Sequence, residues 1–307
     1  MTGTNTFTST DLQYIINTVW SPKVEREMQA NLVAASFFTD FSDMLSGGGS
    51  TLDLTEIFTN KLSANTKSNG SEVTLQSPAT GQLSLTVDTW KEVSFLIEDK
   101  EAQLVLQNAR IAQEYADQAK YIIAKTLDSA ILANYATLSQ TVSDTATDVT
   151  DSIIRQAIGT LGAADVPFDQ LAFFFHPTVV WQDLMGSAKY TNAYQSGVNP
   201  SAIVTGNFGT GGAFGKARMG TLYGIPVYQT SQVPADGASS AFYNLLASPR
   251  AYMFATRTPG GNYVRSISSY QHPNLGTLWT NDCLYGTAEL RDVAGVVIKS
   301  RQSGIVS

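Results

Sequence analysis

The sequence contains very few of the side chains that carry most enzyme chemistry. It has one cysteine, Cys283, and two histidines, His176 and His272, in 307 residues. A single cysteine excludes an intrachain disulfide. Three such side chains give no cluster with the spacing of metal ligands. We therefore predict no catalytic residues, no cofactor-binding residues, no metal ligands and no cofactor, and we predict that the protein is not an enzyme.

One arrangement for nucleophilic catalysis stays open. Cys283 and His272 could be neighbours in space without being neighbours in sequence. However, Cys283 lies in the strand-like stretch 282–285, where a small buried core residue is the commoner role. Both histidines precede proline, at a strand end or a turn, which favours a structural role. A cytosolic hydrolase that uses Cys283 is therefore kept as a distant alternative.

A glycine-rich stretch, residues 209–217, superficially resembles a phosphate-binding loop. The P-loop pattern requires Gly where Thr210 stands and Ser or Thr where Ala217 stands. We therefore predict a surface loop there.

Charge and long apolar runs are also scarce. Charged residues make up 15% of the chain, below the roughly 25% of a typical soluble domain. Low charge with many neutral polar side chains suits a surface that copies of the same chain cover. No apolar run approaches the about 20 residues of a membrane helix. Residues 1–5 lack the basic and apolar regions of a secretory signal. We expect no membrane association and synthesis in the cytosol.

The net charge of −7 is unevenly distributed. Six basic and three acidic residues follow position 248, so this part carries +3 and the remainder −10. An acidic protein is a poor candidate for sequence-specific nucleic-acid binding. The basic part has no interleaved aromatic residues of the kind that single-strand binders use, so solvated surface arginines are its simplest interpretation.

Glycine and proline are absent between Gly81 and Gly159. Within this interval, alternating apolar residues at 83, 85 and 87 predict a strand, and 93–97 predicts another. Val73 and Leu75 show the same alternation, and a turn at 76–81 separates the two runs. We predict a two-stranded hairpin over about 67–92. A lone hairpin is marginal in water, so this one needs a surface to lie on.

One long helix is predicted from about 102 to 138. Its apolar residues recur at steps of three or four and share one face, with many alanines that permit close packing. The predicted stripe comprises Val105, Ala109, Ala112, Ala116, Ala119, Ile123, Leu127 and Ala130, widened by Leu104, Ile111, Tyr115 and Ile122. Gln107, Arg110, Glu114, Asp117, Lys125 and Asp128 are predicted to lie mostly away from it.

The rest of the chain predicts an α+β fold, because its helices and strands are segregated. Before the hairpin we expect two helices, over about 9–19 and from Pro22, then a flexible glycine joint at 47–49 and a short strand at 51–54. After the long helix we expect a helix from Asp151 and a buried strand at 171–175. A turn into a strand is expected over 222–228, and further strands are expected at 242–246, 252–256, 264–270, 275–288 and 295–299.

This order of elements and three local signatures resemble the major capsid proteins of tailed bacteriophages, the Hong Kong 97-like fold family. The first signature is Leu83-x-Leu-x-Val87-Asp88, then Val93-x-Phe95-x-Ile97-x-Asp99, then the long helix with Leu127 to Leu132. The second is Val166-Pro167, then an apolar strand that His176-Pro177 ends, then Val180-Trp181-x-x-Leu184. The third is Gly220-x-Leu222-x-Gly224-Ile225-Pro226-Val227-Tyr228-x-x-Ser231-x-Val233-Pro234.

The resemblance covers about 20–300 and implies a division of the chain. Residues 1–60 would be the N-terminal arm and 61–99 an extended β-hairpin loop that overlaps a neighbouring subunit. Residues 100–147 and 256–307 would form the peripheral domain, with a spine helix and long strands. Residues 148–255 would form a central, mixed α/β axial domain.

The resemblance also implies a function. The chain would be a virion coat protein that assembles in the host cytoplasm into an icosahedral shell around double-stranded DNA, built from pentamers and hexamers through loop and arm overlap. Its partners would be copies of itself, a portal protein, DNA in non-specific contact and, because only about 65 residues precede the hairpin by our count of elements, a separate scaffolding protein. Some relatives crosslink a loop lysine to a neighbour, but no lysine occurs between Ser68 and Trp90, and Lys67 and Lys91 only flank the loop. Covalent crosslinking is therefore not expected.

A related alternative is the shell of an encapsulin-type nanocompartment, which has the same fold but holds protein cargo. Neighbouring genes would separate the two, because a cargo enzyme would accompany an encapsulin, and portal and terminase proteins would accompany a phage coat.

Overall fold

A computed structural model describes residues 32–45, 49–57, 62–77, 80–100, 108–184, 218–236, 241–257 and 264–301. Several sequence predictions fall outside these ranges: the helices over 9–19 and from Pro22, two of the three glycines at 47–49, and the loop at 209–217.

The described residues combine helices with sheets of five, seven and two strands. The helices are α1 (Ala34–Phe37), α2 (Asn108–Ala133), α3 (Asp151–Ala163) and α4 (Pro177–Val179), and α4 continues as a π-helical turn over Val180–Leu184. The strands are β1 (Thr39–Asp40), β2 (Thr51–Ile57), β3 (Thr80–Thr86), β4 (Thr89–Glu98), β5 (Thr141–Val142), β6 (Ala172–Phe175), β7 (Arg218–Leu222), β8 (Ile225–Gln229), β9 (Ala235–Asp236), β10 (Ala241–Ala247), β11 (Tyr252–Thr256), β12 (Arg265–Gln271), β13 (Gly276–Glu289) and β14 (Gly295–Arg301). Short 3₁₀ turns occupy Ser42–Leu45, Asn134–Thr137, Phe168–Gln170, His272–Asn274 and Asp292–Ala294.

The long predicted helix is confirmed as α2, whose 26 described residues span about 39 Å. Its buried residues include Ala112, Ala116, Ala119, Ile123 and Leu127, as the spacing predicted. The widening of the stripe was wrong for Tyr115 and Ile122, which are 54% and 41% exposed, whereas the side chains of Leu104 and Ile111 lie outside the described part of the chain.

The helix α2 lies on a five-stranded sheet whose central strand is the 14-residue β13. The strand β4 pairs with β13 along one side, while β12 and β11 pair with successive parts of its other side. The short strand β1 adds in parallel to β11. Helix and sheet meet at Phe95, whose ring centroid lies 5.8 Å from that of Tyr115 and 6.2 Å from that of Trp279.

The second sheet has the order β5-β14-β10-β6-β8-β7, with β9 paired to β10. The predicted buried strand is confirmed as β6, because all four of its residues are buried. Its side chains alternate between two cores. Phe173 and Phe175 pack in a cluster with α3, whereas Phe174 packs in a cluster with α2.

The two large sheets divide the chain differently from the predicted boundaries. The strand β11 falls within 148–255 except for its last residue, yet it belongs to the sheet under α2. Conversely, β14 falls within 256–307 and β5 within 100–147, yet both belong to the other sheet. The chain therefore crosses between the sheets once more than its order of elements indicates.

The predicted hairpin partner was also wrong. The strand β3 pairs antiparallel with β2, from Thr51 opposite Thr86 to Ile57 opposite Thr80. Residues 62–77 contain no strand, and Val73 and Leu75 are 65% and 90% exposed. The reason is that 51–54 and 73–75 carry the same alternating pattern, and only β2 lies beside β3 when the base of the ribbon packs on the sheet.

Candidate assembly surfaces

The ribbon of β2 and β3 is anchored firmly at its base. Leu85 and Val87 are buried against Met253 and Ala255 of the five-stranded sheet. The Val87 N–H donates to the Ser50 carbonyl oxygen at 2.7 Å. A Cβ at Gly286 would lie 2.1 Å from the Thr86 carbonyl oxygen, so only glycine allows the ribbon this close to β13. The base is therefore a fixed part of the sheet.

Residues 62–77, here called the outer loop, lie between β2 and β3 and hold themselves together by polar contacts. The Ser63 N–H donates to the Gln76 side-chain oxygen at 2.8 Å, and the Gln76 side-chain nitrogen donates back to the Ser63 carbonyl at 2.5 Å. Nearer the tip, the Lys67 ammonium donates to the Ser71 carbonyl at 2.7 Å. All 16 residues are exposed, including the apolar Leu62, Val73 and Leu75. The outer loop thus presents apolar side chains that the rest of the chain does not cover.

A second surface with exposed apolar groups lies on the five-stranded sheet, on the side away from α2. Side chains directly opposite one another in an antiparallel sheet share a face, and successive residues alternate between faces. By this register, Trp90, Leu96, Leu278 and Ile267 lie on the same face as the base of the ribbon, and we call them the Trp90 face. Trp90 is 68% and Ile267 46% exposed. The ribbon base covers the end of this side nearest β11 and leaves the Trp90 face open.

A buried carboxylate orients the exposed indole. The Trp90 indole N–H donates to Asp282 Oδ2 at 3.0 Å. The Arg265 guanidinium binds the same carboxylate through two bonds of 2.8 and 2.6 Å. These bonds, chiefly that from Arg265, hold the pKa of the Asp282 carboxyl below its usual range. The three side chains bridge β4, β13 and β12, so Trp90 is held in one orientation before any partner binds.

Asp128 is a charged residue whose position the sequence predicted wrongly. It was predicted to face away from the apolar stripe of α2, but it is wholly buried. Its two carboxylate oxygens accept from the Val33 N–H at 3.3 Å and the Ala35 N–H at 3.0 Å, at the start of α1. Burial is the largest influence on its pKa and raises it. A signal existed, because Asp128 lies three and four residues before the buried Ile131 and Leu132.

The segment that Asp128 holds connects both large sheets. Phe38 packs against Phe174 of the second sheet at 5.4 Å between ring centroids and against Tyr252 of the first at 4.9 Å. The Phe41 N–H donates to the Phe254 carbonyl at 2.9 Å. The described end of the predicted arm is thus built into the core of the subunit.

The structure does not bring the candidate dyad together. Cys283 is buried in the core cluster beneath α2. His272 is exposed in the turn that joins β12 to β13. The β13 residue nearest that turn is Gly276, seven residues before Cys283, and this places the two side chains roughly 20 Å apart. The proposed hydrolase chemistry of Cys283 therefore has no support in this geometry.

The other histidine packs at the end of β6, with contacts that fit the structural role expected for it. His176 precedes α4 and accepts a hydrogen bond from the Thr178 N–H at Nδ1, at 3.3 Å. Its ring stacks on Phe242 with centroids 3.9 Å apart. Burial lowers the pKa of His176 to about 4.

Within the described ranges, no three His, Cys, Asp or Glu side chains are grouped so that they could hold a metal ion. None of the helices in the described part of the chain combines the length and the apolar character needed to cross a membrane.

Comparison with known proteins shows similarity in structure alone. No family model and no curated protein sequence matches the chain. Among solved structures, one from Mycobacterium phage Che8 matches with a TM-score of 0.71 at 15% identity, over 92% of this chain and 96% of that one. The capsid of cyanophage P-SCSP1u matches with a TM-score of 0.71 at 14% identity, over 98% and 97%. The mature capsid of bacteriophage PhiM1 matches with a TM-score of 0.68 at 15% identity, over 93% and 92%.

These matches extend over nearly the whole of both chains in each pair. They define the class of fold: the chain has the major capsid fold of bacteriophages, with mixed α and β content. The predicted resemblance is confirmed at this level.

Proposed function

We propose that the chain is a phage major capsid protein, a structural subunit that assembles with copies of itself into an icosahedral shell around double-stranded DNA. The observation that carries this proposal is the end-to-end match to capsid structures, which extends over 98% of this chain and 97% of the cyanophage chain. A chain that matches a shell subunit from end to end is most simply a shell subunit itself.

The proposal assigns roles to the parts of the chain. Residues 1–60 are the arm and 61–99 the extended loop, with β2 of the arm forming the other strand of the ribbon. The sheet under α2 forms the peripheral domain and the sheet beside α3 the axial domain, which lies near the symmetry axes of pentamers and hexamers. The division by sheets replaces the one by sequence range for β5, β11 and β14.

Overlap between subunits follows from the two exposed apolar surfaces. The outer loop of one copy would lie on the Trp90 face of its neighbour, where Val73 and Leu75 can leave water. Burial of apolar surface stabilises by about 25 cal/mol per Å², so even one loop contributes to an interface of the usual 1,600 Å² scale. The two surfaces are different patches of one chain, and such an interface generates rings, such as pentamers and hexamers, when the rotation from one copy to the next closes.

The remaining partners belong to the same proposal. They are a scaffolding protein during assembly, a portal protein, and packaged DNA in non-specific contact, with assembly in the host cytoplasm and a final location in the virion. The arginines and lysine that follow position 248 would supply a part of any contact with DNA.

The first test is electron microscopy of the overexpressed protein, with and without replacement of residues 64–75 by a short Gly-Ser linker. This replacement keeps the Ser63 and Gln76 bonds and the whole β2–β3 ribbon. We expect regular shells from the natural chain, and a folded subunit that forms no stable shells from the variant, because the overlap is lost.

A matched control exchanges only polar positions of the same loop, Ser68→Thr and Ser71→Thr, and should still assemble. Normal shells from the shortened chain would contradict the role of the outer loop. A folded natural chain that stays monomeric at high concentration would contradict the capsid proposal itself. Protein cargo in place of DNA inside particles from infected cells would favour the encapsulin-type alternative.

A further inference from the structure

The tip of the outer loop carries the one Asn-Gly sequence of the chain, Asn69–Gly70. Residues 68–71 form a tight turn in which the Ser71 N–H and the Ser71 hydroxyl both donate to the Ser68 carbonyl, at 3.3 and 2.8 Å. Gly70 has φ +80°, a conformation that turns take up most readily with glycine. The turn therefore fixes Asn69 and Gly70 together at the outermost part of the loop.

Within the turn, Asn69 and Gly70 are themselves open to solvent. Both are exposed, and among the described residues neither the Asn69 side chain nor the Gly70 N–H has a hydrogen-bond partner. Apart from Gly70 and its two chain neighbours, no residue has an atom within 4 Å of the place that a Cβ on Gly70 would occupy. The backbone nitrogen of Gly70 can thus approach the Asn69 side chain without a steric barrier.

We propose that Asn69 is a site of spontaneous deamidation, and that docking of the outer loop in the assembled shell slows this reaction. The Gly70 nitrogen loses its proton to hydroxide and attacks Cγ of Asn69, forming a five-membered imide. The bond from Cγ to the side-chain nitrogen breaks, and ammonia leaves after taking a proton from water. One water molecule then opens the ring at either carbonyl, giving an aspartyl or isoaspartyl residue at position 69. No oxidant or reductant takes part.

The modification changes the charge of the surface that is proposed to dock. The outer loop contains one basic and one acidic residue, Lys67 and Glu72, so it is neutral overall. Deamidation makes the net charge of the loop −1, with the new carboxylate four residues before Val73 and six before Leu75. A new carboxylate must lose water when the loop docks, which weakens association. Subunits that age before they assemble should therefore assemble less well than fresh ones.

Tryptic peptides separate the candidate site from an internal control. Cleavage after Lys61, Lys67 and Lys91 yields peptides 62–67 and 68–91, each with one asparagine. Asn65 in the first peptide is also exposed, but a β-branched Thr66 follows it. After incubation of the free subunit in mildly alkaline buffer, we expect peptide 68–91 to gain about 1 Da. Peptide 62–67 should stay unchanged.

Two variants and the assembled particle complete the test. Gly70→Ala should slow the reaction at least about tenfold, which corresponds to about 1.4 kcal/mol in activation free energy. Asn69→Asp should reproduce the assembly defect of the incubated protein. Asn69→Ser should show no assembly defect after the same incubation. An unmodified peptide 68–91 in free subunits would overturn the site.

The proposed protection of Asn69 by docking rests on the proposed function, and it can be contradicted independently of the deamidation itself. Particles should show modification of Asn69 at least about tenfold slower than free subunits, because docking excludes water and restricts the turn. Equal rates in both would overturn the protection by docking and leave both the deamidation and the capsid assignment intact. Failure to form particles at all would count against the proposed function and not against the modification, which is measured on free subunits.

Discussion

At the scale of single residues, Asp128 illustrates how one buried carboxylate fixes a chain segment. It lies on the long helix α2 yet serves the backbone of residues 33–35, nearly a hundred positions earlier. Burial of a charge is costly unless hydrogen bonds compensate for it. Here the N–H groups at the start of α1 provide that compensation, and the carboxylate in turn satisfies donors that the first turn of a helix leaves unpaired.

Replacing Asp128 should therefore loosen the attachment of the arm. Asp128→Ala removes the partner of the buried Val33 N–H and of the partly buried Ala35 N–H, and a buried unpaired group costs about 1–3 kcal/mol. We expect a lower melting temperature and faster amide exchange over 33–38 than elsewhere in the core. The control is Asp117→Asn on the same helix, whose exposed pair with Lys120 should contribute less than about 1 kcal/mol. Equal effects of the two changes would contradict the structural role of Asp128.

His176 gives the subunit a defined response to acid. Its pKa is about 4 in the folded chain and about 6.5 in the unfolded one. As pH falls from 6.5 towards 4, the unfolded chain binds a proton that the folded chain does not, so the free energy of unfolding decreases. Because the ring is only half-buried, we expect a loss on the order of 1–2 kcal/mol between pH 7 and pH 4.5.

Thermal melting at the two pH values measures this loss. His176→Asn removes the titrating group and keeps an acceptor for the Thr178 N–H. Asp128 acts in the opposite direction, since its raised pKa makes the folded chain gain stability as pH falls. The comparison of natural chain and variant isolates the histidine. An acid-induced loss of the same size in His176→Asn would assign the response to other groups.

At the scale of elements, local sequence patterns predicted which helices and strands form better than they predicted which strands pair with one another. The strand β6 and the helix α2 could be predicted because apolar runs and periodic alanines depend only on neighbours in sequence. The pairing of β3 with β2 could not be predicted, because residues 51–54 and 73–75 show the same alternation of apolar and polar side chains. The sequence also could not predict which of the two large sheets β11 and β14 join, because a buried strand has the same apolar composition in either sheet.

The candidate surfaces show the same limit. The sequence predicted an extended loop and its need for a covering surface, and that followed from the marginal stability of a lone ribbon. It did not predict the Trp90 face, which exists only because the register of β4, β13 and β12 places Trp90 and Ile267 on one side. Nor could it assign Asp282 to Arg265 and Trp90, whose bonds cross three strands.

At the scale of the whole molecule, the described residues combine buried cores with exposed apolar surfaces that the proposed function assigns to contacts between copies. The outer loop and the Trp90 face are both exposed in the isolated chain, and both are held in place in advance by their own hydrogen bonds. Such preorganisation reduces the entropy lost on association. It also means that substitutions on these surfaces should change assembly while leaving the folding of the free subunit almost unaffected.

A double-mutant cycle tests whether these two surfaces meet. Trp90→Ala removes an exposed, oriented aromatic anchor, and truncation of such an anchor typically costs at least about 2 kcal/mol of association. Leu75→Ser removes a side chain that is 90% exposed in the free subunit. Assembly measured by light scattering over a range of protein concentrations gives the free energy for each single variant and for the double variant. Thermal melting of the free subunits provides the check that neither change unfolds the chain.

If the loop of one copy lies on the Trp90 face of another, the two changes should not add, and the coupling should amount to about 0.5–3 kcal/mol. Trp181→Ala is the matched control, because Trp181 is 57% exposed but lies in the helical turn beside the other sheet. Its effect should add to that of Leu75→Ser within about 0.5 kcal/mol. Coupling of Leu75 with Trp181 and additivity with Trp90 would place the loop on the second sheet instead. That result would reverse the proposed direction of overlap between neighbours, since the docking face alone determines which copies the loop can join.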